Sequence, residues 1–223
     1  MLKTIDSALK RIYDILFGLV FLVITGWIML ITAIIIKLTS RGPVLYKAKR
    51  VGKGNKEITV YKFRSMIVDS GAVRVTTLEN DERIYPFGKF IRKAKIDELP
   101  QLFNILGGSM TVVGPRPEDV EIAEKIYSGK FMEITSIKPG LTSPASLFDY
   151  THGEIYEDES EYEREFLPDK LELELYYVHN HNIFYDIKIT AWTAVIILLK
   201  VLGKKDFNLP KEYHKCVREK ERA

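Results

Sequence analysis

Cysteine occurs once in the 223 residues, at Cys216, so no disulfide can form within the chain. That suits a head kept in a reducing, cytosolic compartment. Histidine is scarce too, four in all, and no set of cysteines and histidines has the spacing of a zinc site. The run His179-Asn-His181 is too short to support a metal-dependent nuclease. No phosphate-loop or dinucleotide fingerprint occurs, and the lone Gly-x-Gly in Gly52-Lys-Gly-Asn55 is weak evidence for a nucleotide. No Asp-x-Asp dyad follows a hydrophobic strand, which argues against an aspartyl-phosphate phosphatase. Internal repeats and low-complexity linkers are missing as well. The basic residues form no compact tract, so nucleic acid is not expected as a partner.

Charge and hydrophobicity are unevenly distributed. Residues 1–95 carry a net +11 and residues 96–223 a net −8. A basic half joined to an apolar segment suits an anionic membrane surface or phosphate-bearing ligands. Ile15 to Ile36 contains no charged residue. At ~1.5 Å per residue, such a helix is about 33 Å long, enough to cross a bilayer core. It is too long for the apolar part of a signal peptide, and no small-residue cleavage site follows, so residues 1–40 read as a permanent anchor. Lys3, Lys10 and Arg11 precede it, and Lys37, Arg41, Lys47, Lys49 and Arg50 follow. Both flanks therefore favour the cytoplasmic side, as a re-entrant hairpin would allow. Its break would fall at Thr25-Gly26, where a threonine hydroxyl can bond back one turn and bend the helix. A straight span is the alternative. A second apolar stretch, Ile187 to Leu202, is interrupted by Lys188 and Lys200. It reads as an interfacial amphipathic helix or a core helix.

Residues 41–223 read as one cytosolic, membrane-associated domain. Glu57 to Arg64 alternates and is β-branched, which predicts a strand. Residues 66–88 look irregular and end in a turn at Pro86-Phe-Gly88. A helix is expected to begin at Asp97, with Leu99, Leu102, Phe103 and Leu106 as its apolar stripe and Gly107-Gly108 as its stop. Another should run from Pro117 to Gly129, and a third should start near Pro168. The acidic stretch Glu154 to Glu165 between them reads as solvated surface. The fold class is α/β: a compact, mostly helical head with few short strands, lying against the membrane.

The chemistry centres on Phe90-Ile-Arg-Lys-Ala-Lys-Ile-Asp-Glu-Leu-Pro-Gln101. At a helix start, Asp97 would meet backbone N–H groups and a dipole that favour anions, and Lys89, Arg92, Lys93 and Lys95 lie just upstream. Such a setting keeps a carboxylate ionised and draws phosphate toward it, and an ionised carboxylate can be a covalent nucleophile. An aspartate at a helix start is commonly only a cap, and Glu98 a first-turn acid, so both roles are open here. Lys62 and Arg64, two apart on a strand, should share one face, either toward phosphate or as surface charge. Arg116, flanked by prolines, has a stiff mount for a phosphate contact.

The order of motifs resembles the bacterial sugar transferase family, the monotopic phosphoglycosyl transferases. The matching pieces are Ile12-Tyr-Asp14, Gly42-Pro-Val44, Arg50-Val-Gly52, Tyr61-Lys-Phe-Arg-Ser-Met66, Gly88-Lys-Phe-Ile-Arg92 and Asp97-Glu-Leu-Pro-Gln-Leu-Phe-Asn104, then Val113-Gly-Pro-Arg-Pro117, Lys138-Pro-Gly-Leu-Thr142, Leu173-Glu-Leu-Tyr-Tyr-Val178 and Asp186-Ile-Lys188. The resemblance implies that Asp97 attacks the sugar-bearing phosphate of a UDP-sugar and releases UMP. An undecaprenyl or other polyprenyl phosphate then takes the sugar phosphate, the first membrane step of exopolysaccharide, lipopolysaccharide O-antigen or other glycoconjugate biosynthesis. It implies Mg²⁺ at Asp97 and Glu98, phosphate contacts from Arg92, Arg116, Lys62 and Arg64, and a role for Glu174 toward the metal or a phosphate-binding arginine. It places the head on the cytoplasmic face of the bacterial inner membrane. A homo-oligomer is compatible with the sequence.

The chain departs from the family pattern in four places, one of them Glu174, where many members have an aspartate. Thr25-Gly26 replaces a Ser-Pro break. Lys95 stands where the family has a serine. Thr142-Ser-Pro-Ala-Ser-Leu-Phe-Asp-Tyr-Thr-His-Gly153 replaces a Gly-Trp-Ala-Gln and Asn-Gly-Arg segment, so an expected arginine is missing. The rival reading is a membrane-bound scaffold that keeps the transferase fold without turnover.

Overall fold

A computed structural model describes residues 2–67, 83–153 and 161–220. Most of the irregular stretch expected at 66–88 and the acidic residues 154–160 lie outside these.

The first helix, α1 (Leu2–Thr39), organises the molecule. It is the one helix among the described residues long and apolar enough to cross a membrane. It runs unbroken through Thr25-Gly26, so the expected break is not there. The Thr25 hydroxyl does donate to the Phe21 carbonyl at 2.6 Å, and the helix tolerates this. Asp14, Gly18, Thr25, Met29, Thr32 and Ile36 are buried. These positions recur at helical spacing, so one face packs on the head over more than six turns. At Gly18 the helix comes close to the head, where a Cβ would lie 2.8 Å from the end of the Leu106 side chain. The opposite face is apolar and bare: Val23 is 82% and Trp27 63% exposed.

Both ends of α1 are bonded to the head. Near its start Asp14 accepts from the Val112 N–H and the Thr111 hydroxyl, each at 2.8 Å. Lys10 donates to the Val113 carbonyl at 2.7 Å and pairs with buried Asp186, and Tyr13 donates to Thr190 at 2.6 Å. Near the other end the Arg64 guanidinium donates to the carbonyls of Ser40, at 2.8 Å, and Arg41.

Strands β1 (Leu45–Val51) and β2 (Glu57–Phe63) form an antiparallel hairpin, with Leu45 opposite Phe63 and Val51 opposite Glu57. Helix α2 (Pro86–Lys93) follows, so the expected turn at Pro86 is instead a helix start, where proline's fixed φ is suited. Helix α3 (Gln101–Gly107) begins four residues later than expected. Proline 100 has no N–H to return to Ile96, and i to i+3 bonds (Leu99 to Ile96, Leu102 to Leu99, Phe103 to Pro100) carry the chain through a 3₁₀ turn instead. Phe103, assigned to the apolar stripe by its spacing, is 48% exposed, and Ile105 is buried in its place.

Strands β3 (Thr111–Val113) and β4 (Gly140–Thr142) pair in parallel. Between them α4 (Val120–Ile126) is capped by Asp119, two residues beyond the start expected at Pro117. Helix α5 (Pro144–His152) is capped by Ser143. Helix α6 (Leu167–Asn180) buries Leu171, Leu173, Leu175 and Tyr177. Helix α7 (Ile183–Val201) turns Asp186 and Ile189 inward but exposes Phe184, Trp192 and Leu198. Helix α8 (Tyr213–Lys220) closes the described chain. The central core joins Val60, Leu102, Ile105, Met110 and Tyr177 to Phe17 and Phe21 of α1. The mostly helical head with few short strands is as expected.

Candidate active site

Asp97 and Glu98 lie in the 3₁₀ turn Ile96–Glu98 between α2 and α3. Asp97 is therefore not the cap of an α-helix, as the sequence suggested. Lys95 starts the turn in the left-handed region, φ 55°, which costs a residue with a Cβ roughly 1–2 kcal/mol. That twist turns both carboxylates inward, leaving Asp97 7% and Glu98 8% exposed.

Three cations converge on one oxygen. Glu98 Oε1 lies 3.4 Å from Lys62 Nζ, 3.5 Å from Arg116 and 3.8 Å from Lys95 Nζ. Burial opposes the charge on Glu98, but Lys62, Lys95 and Arg116 outweigh it and hold this carboxyl well below its ordinary range. Asp97 behaves oppositely. Burial and the neighbouring Glu98 charge push it up, and Lys62, Lys95 and Arg92 only partly offset them. The open helix end that was expected to keep Asp97 ionised is absent. Its Oδ1 is buried without any hydrogen-bond partner.

Each cation has a defined mount. Lys62 comes from β2, which Asn104 ties to α3: its side chain accepts from the Tyr61 N–H at 3.0 Å and donates to the Thr59 carbonyl at 2.6 Å. Arg116 rides on the loop after β3. There Gly114 and Gly140 meet backbone to backbone, with Gly140 N–H donating to the Pro115 carbonyl at 2.8 Å and Gly114 N–H to the Thr142 carbonyl at 2.9 Å. A Cβ on Gly140 would collide with Gly114. Glu174, on α6, accepts from the Arg116 N–H at 2.9 Å and from Ser143 at 3.1 Å, while its other oxygen has no partner. Burial pushes Glu174 up to about 7, against the pull of Arg116 N–H, Lys170 and Ser143. It thus holds the backbone of Arg116 and makes no hydrogen bond to the carboxylate pair.

Arg92, in the last turn of α2, acts on Asp97 through its charge, and its side chain makes no hydrogen bond or ion pair among the described residues. Arg64 is not brought to the site. It lies one residue past the end of β2, where strand alternation no longer fixes its direction, and it caps α1 instead. Sequence reasoning had noted Lys95 as a neighbouring charge and a departure from the family's serine, and had given Asn104 no role. It also missed a buried group in which Lys170 contacts Glu118 at 3.0 Å and Asp149 at 3.6 Å. Its members are far apart in sequence and leave no local signal.

Such an arrangement, a carboxylate pair ringed by cations, has the chemistry to attract and stabilise anionic groups. A family model for the bacterial sugar transferases matches residues 5–200, and the chain belongs to that family. It is 36% identical over 201 residues to a UDP-glucose:undecaprenyl-phosphate glucose-1-phosphate transferase of Xanthomonas campestris pv. campestris, covering 88% of this chain and 39% of that protein. It is 36% identical over 197 residues to a UDP-N-acetylgalactosamine-undecaprenyl-phosphate N-acetylgalactosaminephosphotransferase of Aeromonas hydrophila, covering 87% and 44%. The exopolysaccharide production protein PSS of Rhizobium leguminosarum bv. phaseoli is 36% identical over 207 residues, covering 89% and 99%. The chain thus spans about two fifths of the first two relatives and nearly the whole of the third.

Proposed function

We propose that this protein moves a sugar 1-phosphate from a UDP-sugar to undecaprenyl or another polyprenyl phosphate, with Asp97 as nucleophile. The observation that carries this reading is the buried, unpartnered oxygen of Asp97 among cations. A buried carboxylate oxygen without a partner is costly, and such atoms in folded proteins point to a ligand or a reacting group. The relatives' names supply the kinds of donor and acceptor.

In the first half-reaction an Asp97 oxygen forms a bond to the sugar-bearing phosphorus. The bond from that phosphorus to the bridging oxygen breaks, and its electron pair leaves with UMP. In the second, an oxygen of the polyprenyl phosphate attacks the same phosphorus, the aspartyl bond breaks, and the carboxylate returns. Lys62, Lys95 and Arg92 pull Asp97 toward its ionised form, the form that attacks. Arg116 and Lys62 offset the charge of the approaching phosphates, and Arg92, unpaired, can bind a phosphate bidentately.

Asp97 and Glu98 are the residues that would hold Mg²⁺: both offer hard oxygens, and Oδ1 of Asp97 has no hydrogen-bond partner. Mg²⁺ commonly uses one or two carboxylates with waters and substrate phosphates. When bound, it supplies charge neutralisation at the transferring phosphoryl group.

The reading extends to topology. The head and both flanks of α1 lie on the cytoplasmic face of the inner membrane, and the apolar outer faces of α1 and α7 meet lipid. The support is that Lys10 at one end of α1 and Ser40 and Arg41 at the other are bonded to the same head. A straight span would carry one end away from it.

The deciding experiment screens UDP-sugars for UMP release with Mg²⁺ and undecaprenyl phosphate. Release with at least one donor is expected, whereas a scaffold releases UMP with none.

A further inference from the structure

Two places where the chain departs from the family pattern are in contact. Lys95 Nζ lies 4.6 Å from the ring centre of Tyr150, on α5 within the divergent segment 142–153. Tyr150 is fixed from two sides. Its hydroxyl donates to the Lys93 carbonyl at 2.8 Å, and its own carbonyl accepts from Lys200 on α7. Lys200 Nζ also lies 4.1 Å from the same ring. An aromatic face attracts an ammonium within this range. The ring therefore helps set where Lys95 points.

Lys95 is not neutralised there. Its nearest carboxylate oxygen, Glu98 Oε1 at 3.8 Å, is approached more closely by Lys62 and Arg116. One oxygen cannot balance three cations. With Arg92, four cations stand around Asp97 and Glu98, an excess of positive charge that attracts a polyanion such as a diphosphate.

Resting on the function proposed above, we propose that Lys95 is a donor-binding residue whose ammonium contacts the diphosphate of the nucleotide sugar, and that Tyr150 is the positioning residue that holds it there.

The test measures equilibrium binding of UDP-glucose and UDP-N-acetylgalactosamine to the full chain in detergent with Mg²⁺, on an Asp97→Asn background that stops turnover, together with KM and kcat for UMP release in the native background. Lys95→Ala should weaken binding of the preferred donor about ten- to hundredfold, the loss of a hydrogen bond to a charged group, and raise KM more than it lowers kcat. Lys95→Arg should restore most of the affinity. Tyr150→Leu should weaken binding about three- to tenfold and Tyr150→Phe, which keeps the ring, less. Melting temperatures should stay close to the parent's. Unchanged binding in Lys95→Ala overturns the proposal, as does equal loss in Lys95→Ala and Lys95→Arg with a lowered melting temperature, which marks a structural prop. Donor binding that depends on Lys95 in a protein that never releases UMP would sink the catalytic reading and leave the lysine's role standing. Absence of binding by either donor to the parent overturns both.

Discussion

The molecule contains two buried groups of charge that differ in how fully their atoms are used. At the foot of α1, Lys10 pairs with Asp186, which is 0% exposed, and spends its other donors on the Val113 carbonyl and the Tyr177 hydroxyl. Asp186 also accepts from Tyr177 at 2.6 Å, and Asp14 alongside is bonded to β3. At the 3₁₀ turn, by contrast, the contacts to Glu98 are 3.4 to 3.8 Å long and Asp97 leaves one oxygen bare. A saturated network fixes a structure, whereas an unsaturated one holds strain that a ligand can relieve. The first clamps the apolar helix to the head. The second is where chemistry is expected.

Substituting one member of each group should separate the two roles. Asp97→Asn should lower UMP release by about 10³-fold or more, the scale of losing a nucleophile, and leave the melting temperature unchanged or raised. Lys10→Met should do the reverse. It strands Asp186 in the core and should cost about 3–5 kcal/mol in denaturation, while the folded fraction keeps its turnover per molecule. An intermediate case is Glu174, pushed up to about 7 by burial. Its charged form is disfavoured only in the folded protein, so its unfavourable contribution grows as pH rises from about 4.5 to 7. Glu174→Gln should therefore lose less stability than the parent between pH 5 and pH 8, by at most roughly 3 kcal/mol, with little difference at the acid end. The smallest effect belongs to the exposed pair Lys49–Glu57 at 3.1 Å. Lys49→Ala should change stability by less than about 0.5 kcal/mol and leave UMP release alone.

How far the sequence shows these groups depends on whether their signals are local. Asp97, Glu98, Lys62 and Arg116 could be picked out because each sits in a short motif, and the structure brings them together. The motifs Ile12-Tyr-Asp14, Tyr177 and Asp186 also stood out, but only folding shows that they join α1 to β3 and α7. Arg64 was misassigned because alternation fixes a face only within a strand, and the strand ends at Phe63. Strands β3 and β4 are three residues each and pair across 26 intervening positions, too short and too distant for periodicity to show. The helix start near Asp97 was misplaced because the dihedral twist at Lys95 carries no residue signature: lysine rarely adopts it. Helix α1 was found by its hydrophobicity, but its buried stripe was not, because the head-facing side carries Asp14, Gly18, Thr25 and Thr32 while large apolar residues such as Val23 and Trp27 face outward, the reverse of the pattern that apolar periodicity looks for.

The most direct test of the bare oxygen is mass spectrometry of the full chain quenched after incubation with Mg²⁺ and a donor that supports UMP release, without polyprenyl phosphate. The account predicts one added sugar phosphate, localised to Asp97 and discharged when the acceptor is added. UMP release in the full reaction with no adduct, or with an adduct on any other residue, would contradict it.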